Sequence, residues 1–361
     1  MANTLNESNL TLNALEQEDV SAFVQQKFSI QPLLNTIHKL WTGVTMKEQI
    51  VIVGKMGKSG ISDSTCDRPN SGATYALSEK FWEPAAIGDT FVNCVATMNG
   101  LFKGYFTKIK TYMEKFDLSG SDLAMLTAVR IEDSLSKSIF RYAWFGDKAV
   151  AAAGAAAAGL KVAGDAKFYS VINGLWKQIF TAVGATTIKK VAISENAQLT
   201  LALQLTLAAG RAKAIMDSMW ALATPELQAN PDTQFLLSGQ LYENYYQSLV
   251  SSNTLDSQSD IINGISVVKY RGHAVINMNT VWDTDLQADF IDNTVNNAGY
   301  LPNRAVLTYA ENIPIATLEE GSMAKVESFF FVSDTKRANV TSYGYTLDAK
   351  VILESDIVVA Y

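Results

Sequence analysis

A chain of 361 residues with 48% hydrophobic and 18% charged side chains can bury a large core, and its length points to about two domains. Its 29 basic and 36 acidic residues give a net charge of −7, which excludes a composition-wide basic surface for gripping nucleic acid. Two cysteines, Cys66 and Cys94, are too few for a disulfide framework and fit free thiols in a reducing cytoplasm.

The first residues, MANTLNESNLTLNALEQED, carry neither the basic nor the apolar region of a secretory signal. From Ile30 the spacing of Leu33, Leu34, Ile37, Leu40 and Trp41 predicts one amphipathic helix, with Pro32 tolerated in its first turn. After Gly43 comes IVIVGKMGKSG, Ile50 to Gly60, a β-branched run followed by glycines and Gly57-Lys58-Ser59. A phosphate-binding loop needs G-x-x-x-x-G-K-[ST], so that the backbone can curl round the phosphates before a helix begins. Here Ile52 stands where the first glycine belongs, and the breaker-rich ISDSTCDRPNSG follows, so the segment reads as the first strand of a long hairpin that returns through ATYALSEKFWEPAAIGDTFVNCV.

Phe102, Phe106, Ile109 and Met113 mark a further helix. The longest helix is expected from Ser121 to Phe145, about 37 Å, with Ala124, Ala128, Ile131, Leu135, Ile139 and Tyr142 on one stripe. After WFGD the apolar run from Ala149 to Leu160 is mostly Ala and Gly, too short to span a bilayer, and reads as a loop or insertion. KFYSVINGLWKQIF is an aromatic-rich unit, and helical spacing returns from Thr187 to about Thr224 through Leu199, Leu203 and Leu207. Short strands and helices then alternate through TQFLLS, LYENYYQSLVS, INGISVVKYRGHAVINM and VWDTDL, and the remainder from Arg304 is mostly strand.

The motifs G-x-S-x-G, H-E-x-x-H, C-x-x-C and G-x-G-x-x-G are all missing from the sequence. His38 and His273 have no Cys or acidic residue at ligand spacing, so neither reads as a metal or catalytic residue. Asp283, Asp285 and Asp289 are spaced like a calcium loop, but Ala288 and Thr294 occupy the places that need Gly and Glu, which leaves a solvated acidic loop. No cofactor or metal is expected. The hairpin is the informative feature, because a two-stranded ribbon is marginal in water and needs a surface to lie on.

The order of parts resembles the major capsid proteins of tailed double-stranded-DNA bacteriophages, with the Hong Kong 97-type fold. DLSGSDLAMLTAVRIEDSLSKSIFRYAWFGD, NGLWKQIF, QFLLSGQLYENYYQSL, YRGHAVINMNTVWDTDL and LPNRAVLTYAENI carry the likeness. The resemblance implies an α+β fold with an N-terminal arm (1–47), an extended β-hairpin loop (48–95), a peripheral domain with a long spine helix (96–185), an axial domain (186–300) and C-terminal strands that rejoin the peripheral domain (301–361). It implies a structural, non-enzymatic protein that self-assembles into hexamers and pentamers of an icosahedral phage head, enclosing double-stranded DNA without binding it specifically. A separate scaffolding protein, a portal and decoration proteins are the implied partners, with no membrane, and the place is the virion after assembly in the bacterial cytoplasm. Lys55, Lys58, Phe81 and Trp82 on the extended loop are the expected contacts with a neighbouring subunit, the two aromatics buried between subunits rather than within one. Some members crosslink Lys to Asn; Lys55, Lys58 and Asn339 have the right types, but no local motif assigns a crosslink. Two alternatives stand beside this reading: an encapsulin-like nanocompartment shell, and a nucleotide-binding enzyme using Gly57-Lys58-Ser59.

Overall fold

A computed structural model describes residues 32–56, 75–94, 134–150, 167–252, 259–262, 265–292, 298–318, 325–333 and 336–361. The expectations for residues 1–31, the tip of the hairpin with Lys58 and Cys66, the helices over 102–113 and 121–133, and the run 151–166 lie outside the described residues.

Helix α1 (Pro32–Ile37) is shorter than its periodicity predicts, because Leu40–Trp41 forms β1. Lys39 donates to the Ala310 carbonyl and accepts from Ile315, so the backbone leaves the helix to pair in parallel with a distant strand. β2 (Gln49–Met56) and β3 (Tyr75–Phe81) form the expected antiparallel hairpin. The return does not run on through Cys94: after Pro84 the chain enters β4 (Ala85–Cys94), which pairs along its whole length with a C-terminal strand.

Residues 134–145 are helical (α2) and lead through Gly146 to α3 (Leu175–Gly184). The two segments meet backbone to backbone, with Gly174 N–H donating to the Gly146 carbonyl at 2.8 Å. A Cβ on Gly174 would stand 2.7 Å from both Gly146 N and Tyr142 O, so only glycine fits the crossing.

β5 (Lys189–Val191) is followed by α4 (Leu201–Gln204), α5 (Arg211–Leu222) and α6 (Pro225–Ala229). The expected stripe is broken here. Gly210 sits at φ +72°, where no helix can continue, and Leu199 and Leu203 are 65% and 51% exposed. β6 (Gln234–Leu237), α7 (Gly239–Ser251), β7 (Ser259–Ile262), β8 (Ile265–Tyr270) and β9 (His273–Asn277) come next. A π-helical turn (Asn279–Asp283) runs into α8 (Thr284–Asp289), followed by β10 (Ile291–Asp292), β11 (Ala298–Gly299), β12 (Ala305–Thr308), β13 (Ile315–Ala316), β14 (Lys325–Ser333), β15 (Lys336–Ala349) and β16 (Val358–Ala360).

Seven strands form the central sheet in the order β5-β16-β12-β6-β9-β8-β7. Its inner strands read as continuous apolar runs because both faces are covered. Phe235, Leu237, Val275, Leu307 and Val358 pack into one core with Ile215, Met216 and Met219 of α5 and Leu241 and Tyr245 of α7. The alternate residues Leu236, Ile276, Val306 and Val359 face a second core with Leu135 and Ile139 of α2 and Trp176 and Ile179 of α3. The expected boundary at residue 300 therefore cuts through one sheet, since β12 pairs with β6 and β16 with β5. The remaining C-terminal strands build a separate five-stranded sheet in which β15 pairs with β4, β13 and β14.

Candidate functional site

Gly54 and Lys55 remain in β2, where a phosphate loop would already have left its strand, and the strand that follows is antiparallel rather than the parallel partner of a βαβ unit. The backbone of Lys55 lies at the register irregularity between Val53 and Met56.

The described foot of the hairpin has two unlike faces, because residues directly opposite share a side and successive residues alternate. The register pairs Gln49 with Phe81 and Val51 with Glu79 on one face, and Ile50 with Lys80 on the other. The second face is anchored to the body. Ile52 is buried, Ile50 packs beside Val44 and Ala316, and Lys80 Nζ donates to the Val351 carbonyl at 2.8 Å and to Glu354 at 2.9 Å. The first face looks outward, with Val51 56% and Phe81 42% exposed.

Trp82, expected between subunits together with Phe81, is instead 0% exposed within its own chain. The chain turns past the end of β3, where Trp82 N–H donates to the Glu48 carbonyl, Lys47 N–H donates to Trp82, and Val44 and Ala316 close over the indole. One residue later the Glu83 N–H donates to the buried Asp348 carboxylate at 2.7 Å. Phe81 and Trp82 are thus separated by strand alternation, one outward and one inward. Between the hairpin foot and α3 runs a groove of about 560 Å³ lined by Phe81, Lys177, Lys350 and Glu354.

The acidic segment is not the solvated loop its composition suggests. Asp283 and Asp285 are buried on consecutive helical turns, and all three acids hold neighbouring elements. Asp283 accepts from the Gly239 N–H at the start of α7, which ties the π-turn to that helix and offsets its exposed N–H groups. Burial nevertheless pushes its carboxyl up to about 6, against the pull of that bond and of the Arg304 charge. Asp285 pairs with Arg141 of α2 at 3.2 Å, and Asp289 accepts from the Tyr169 hydroxyl. Among the described residues no group of acidic, His or Cys side chains could hold a metal ion.

His38 is likewise a buried fastening. Its Nδ1–H donates to the Ile313 carbonyl at 2.7 Å while Nε2 accepts from the Trp144 indole N–H at 3.1 Å, an arrangement that fixes the neutral tautomer. Burial draws its pKa down to about 4. His273 Nδ1–H donates to the Thr233 carbonyl at 3.2 Å, and its ring lies 5.0 Å from that of Trp220. Arg304, which composition does not single out, is buried among aromatic rings; the only sign of it in the sequence is a charge entering the apolar run AVLT.

No protein-family model and no curated protein matches the sequence. The chain shares its fold with a solved phage structure, and phage capsids, a virus-like particle and an encapsulin are among its structural neighbours. A structure of Gordonia phage Cozz matches over 91% of this chain and 86% of its own, at 12% identity and a TM-score of 0.50. The satellite phage P4 procapsid including its size-determination protein matches over 95% and 98% at 12% identity with a TM-score of 0.49, and the holo-SrpI encapsulin complex from Synechococcus elongatus over 92% and 87% at 11% with 0.46. No helix of the described residues is long and apolar enough to cross a membrane.

Proposed function

We propose that this chain is a structural subunit of a phage head, a major capsid protein without enzymatic activity, that assembles with copies of itself into hexamers and pentamers of a closed shell around double-stranded DNA. The observation that carries the reading is the outer face of the hairpin foot, where Val51 and Phe81 stay exposed on a two-stranded ribbon while the opposite face is anchored to the body. Such a ribbon gains its missing burial against another molecule. The likeness in fold to phage capsid structures supports the same reading.

In this scheme the hairpin is the extended loop of a Hong Kong 97-type subunit and lies on a neighbour, with Phe81, Lys55 and Lys58 at the contact. Helix α2 is the end of the spine, and the central sheet carries the axial part. A scaffolding protein, portal and decoration proteins complete the particle, which is assembled in the host cytoplasm. The net charge of −7 suits a wall that encloses DNA without gripping it. Electron microscopy of the purified chain over a range of salt and protein concentration tests the proposal: closed shells, tubes or capsomer rings are expected, and a persistent monomer under all conditions overturns it.

A further inference from the structure

Arg304 stands at the entry to β12 and is 1% exposed. Its Nε donates to the Leu301 carbonyl at 2.8 Å and its Nη2 to the Tyr300 carbonyl at 3.0 Å, which holds the turn where Leu301 takes φ +51°. A guanidinium has five N–H donors, so these two bonds leave most of its capacity over. Its carbon lies 4.8 Å from the Trp176 ring centroid, 5.5 Å from Phe145 and 5.6 Å from Phe180. Asp283 acts on it only as a charge at longer range, and among the described residues no carboxylate pairs with it. Ring faces compensate part of a buried cation, but a full charge without a counter-charge is strongly disfavoured in such surroundings.

A half-open cavity of about 300 Å³ adjoins this group, walled by Phe145, Trp176, Phe180, Phe290 and Arg304. The buried indole N–H of Trp176 has no acceptor among the described residues. The acid on the cavity lining, Asp147, is already neutralised by Lys177 at 2.9 Å. The site thus offers ring faces and spare donors, and the one carboxylate among its described lining residues is already paired. Its volume lies at the small end of ligand sites, too small for a nucleotide or a folded peptide segment.

We propose that this cavity binds a compact organic monoanion with a flat apolar body, of the aromatic carboxylate class. The carboxylate accepts from Arg304, and the ring lies among Trp176, Phe180 and Phe290. This site is independent of the shell reading and is present in the single chain.

The test uses sodium benzoate as the probe on the purified full chain, with benzyl alcohol and equal sodium chloride as controls, read by saturation-transfer NMR and thermal melting. Benzoate is expected to bind with a dissociation constant of about 1 mM or tighter and to raise the melting temperature. Benzyl alcohol should bind at least about tenfold more weakly, since it lacks the charge that Arg304 requires. Arg304→Met should lose benzoate binding. Should that variant fail to fold, Thr181→Trp decides, because Thr181 is an exposed lining residue whose enlargement closes the cavity and leaves Arg304 in place. No benzoate signal at about 10 mM, equal binding of the alcohol, or binding that survives Thr181→Trp each overturns the proposal.

Discussion

Acid should unfasten the N-terminal segment at His38. The native imidazole is neutral because Nε2 must accept the Trp144 N–H while Nδ1–H is committed to Ile313, so a second proton would face a donor. Among the described residues no acid is positioned to compensate it, and the ring packs beside Phe140 and Trp144. Its pKa falls from 6.5 to about 4, mainly through burial, so the unfolded chain binds the proton first. The stability that His38 contributes is complete above pH 6.5 and declines as pH falls toward 4. At 1.36 kcal/mol per unit the loss is about 3 kcal/mol, a substantial share of the 5–15 kcal/mol that typically holds a domain folded.

The control is His38→Gln, whose amide can donate to the Ile313 carbonyl and accept from Trp144 without titrating. Urea unfolding of both proteins from pH 7 to pH 4 gives the difference directly, since titrations elsewhere cancel between them. The wild type should lose about 3 kcal/mol relative to the variant across that window. A difference that stays constant with pH would refute the tautomer lock.

The buried acid Asp283 has the opposite sign: with its pKa raised to about 6, the native state holds the proton between the unfolded value and 6, and stability rises as pH falls through that window. Asp283→Asn should remove this slope, about 3 kcal/mol in all, in the same unfolding series. Gly174→Ala should cost about 1–3 kcal/mol by forcing α2 and α3 apart at their backbone contact, read as a lower melting temperature. The adjacent aromatics should part company: Trp82→Ala should destabilise the single chain by about 3–5 kcal/mol, whereas Phe81→Ser should leave chain stability within about 0.5 kcal/mol yet reduce particle formation by light scattering. Equal loss of stability in both variants would contradict the two-faced hairpin.

The elements legible in the sequence are those whose partners are local or whose pattern is unambiguous. QFLL and AVLT became inner strands, LYENYYQSLVS keeps a helical stripe of Leu241, Tyr245 and Leu249, and the hairpin follows from the β-branched run IVIV and the breaker-rich segment after it. What was not legible depends on contacts far along the chain. Leu40 and Trp41 fit a helical period, yet their backbone pairs with Ile315 and Ala316; Trp82 looks like Phe81 until Ala316 covers it. The acids at 283–289 resemble a solvated loop because Arg141 and Tyr169, which hold two of them, lie on a different part of the chain. Arg304 carries no motif, since its surroundings come from aromatic residues on α2, α3 and the turn before it.

The strand order β5-β16-β12 has a consequence for how this polypeptide is made. Residues 189–191 find their sheet neighbour only in residues 358–360, and β12 is flanked on one side by that same late strand. Pairings so distant in sequence form slowly, since the intervening chain must be ordered first. On the ribosome, both cores therefore stay incomplete until Val358 and Val359 emerge, and the nascent chain exposes apolar surface until then. A product truncated before Val358 would leave β5 without its partner and one edge of β12 open, so the central sheet closes only once residues 358–360 are present.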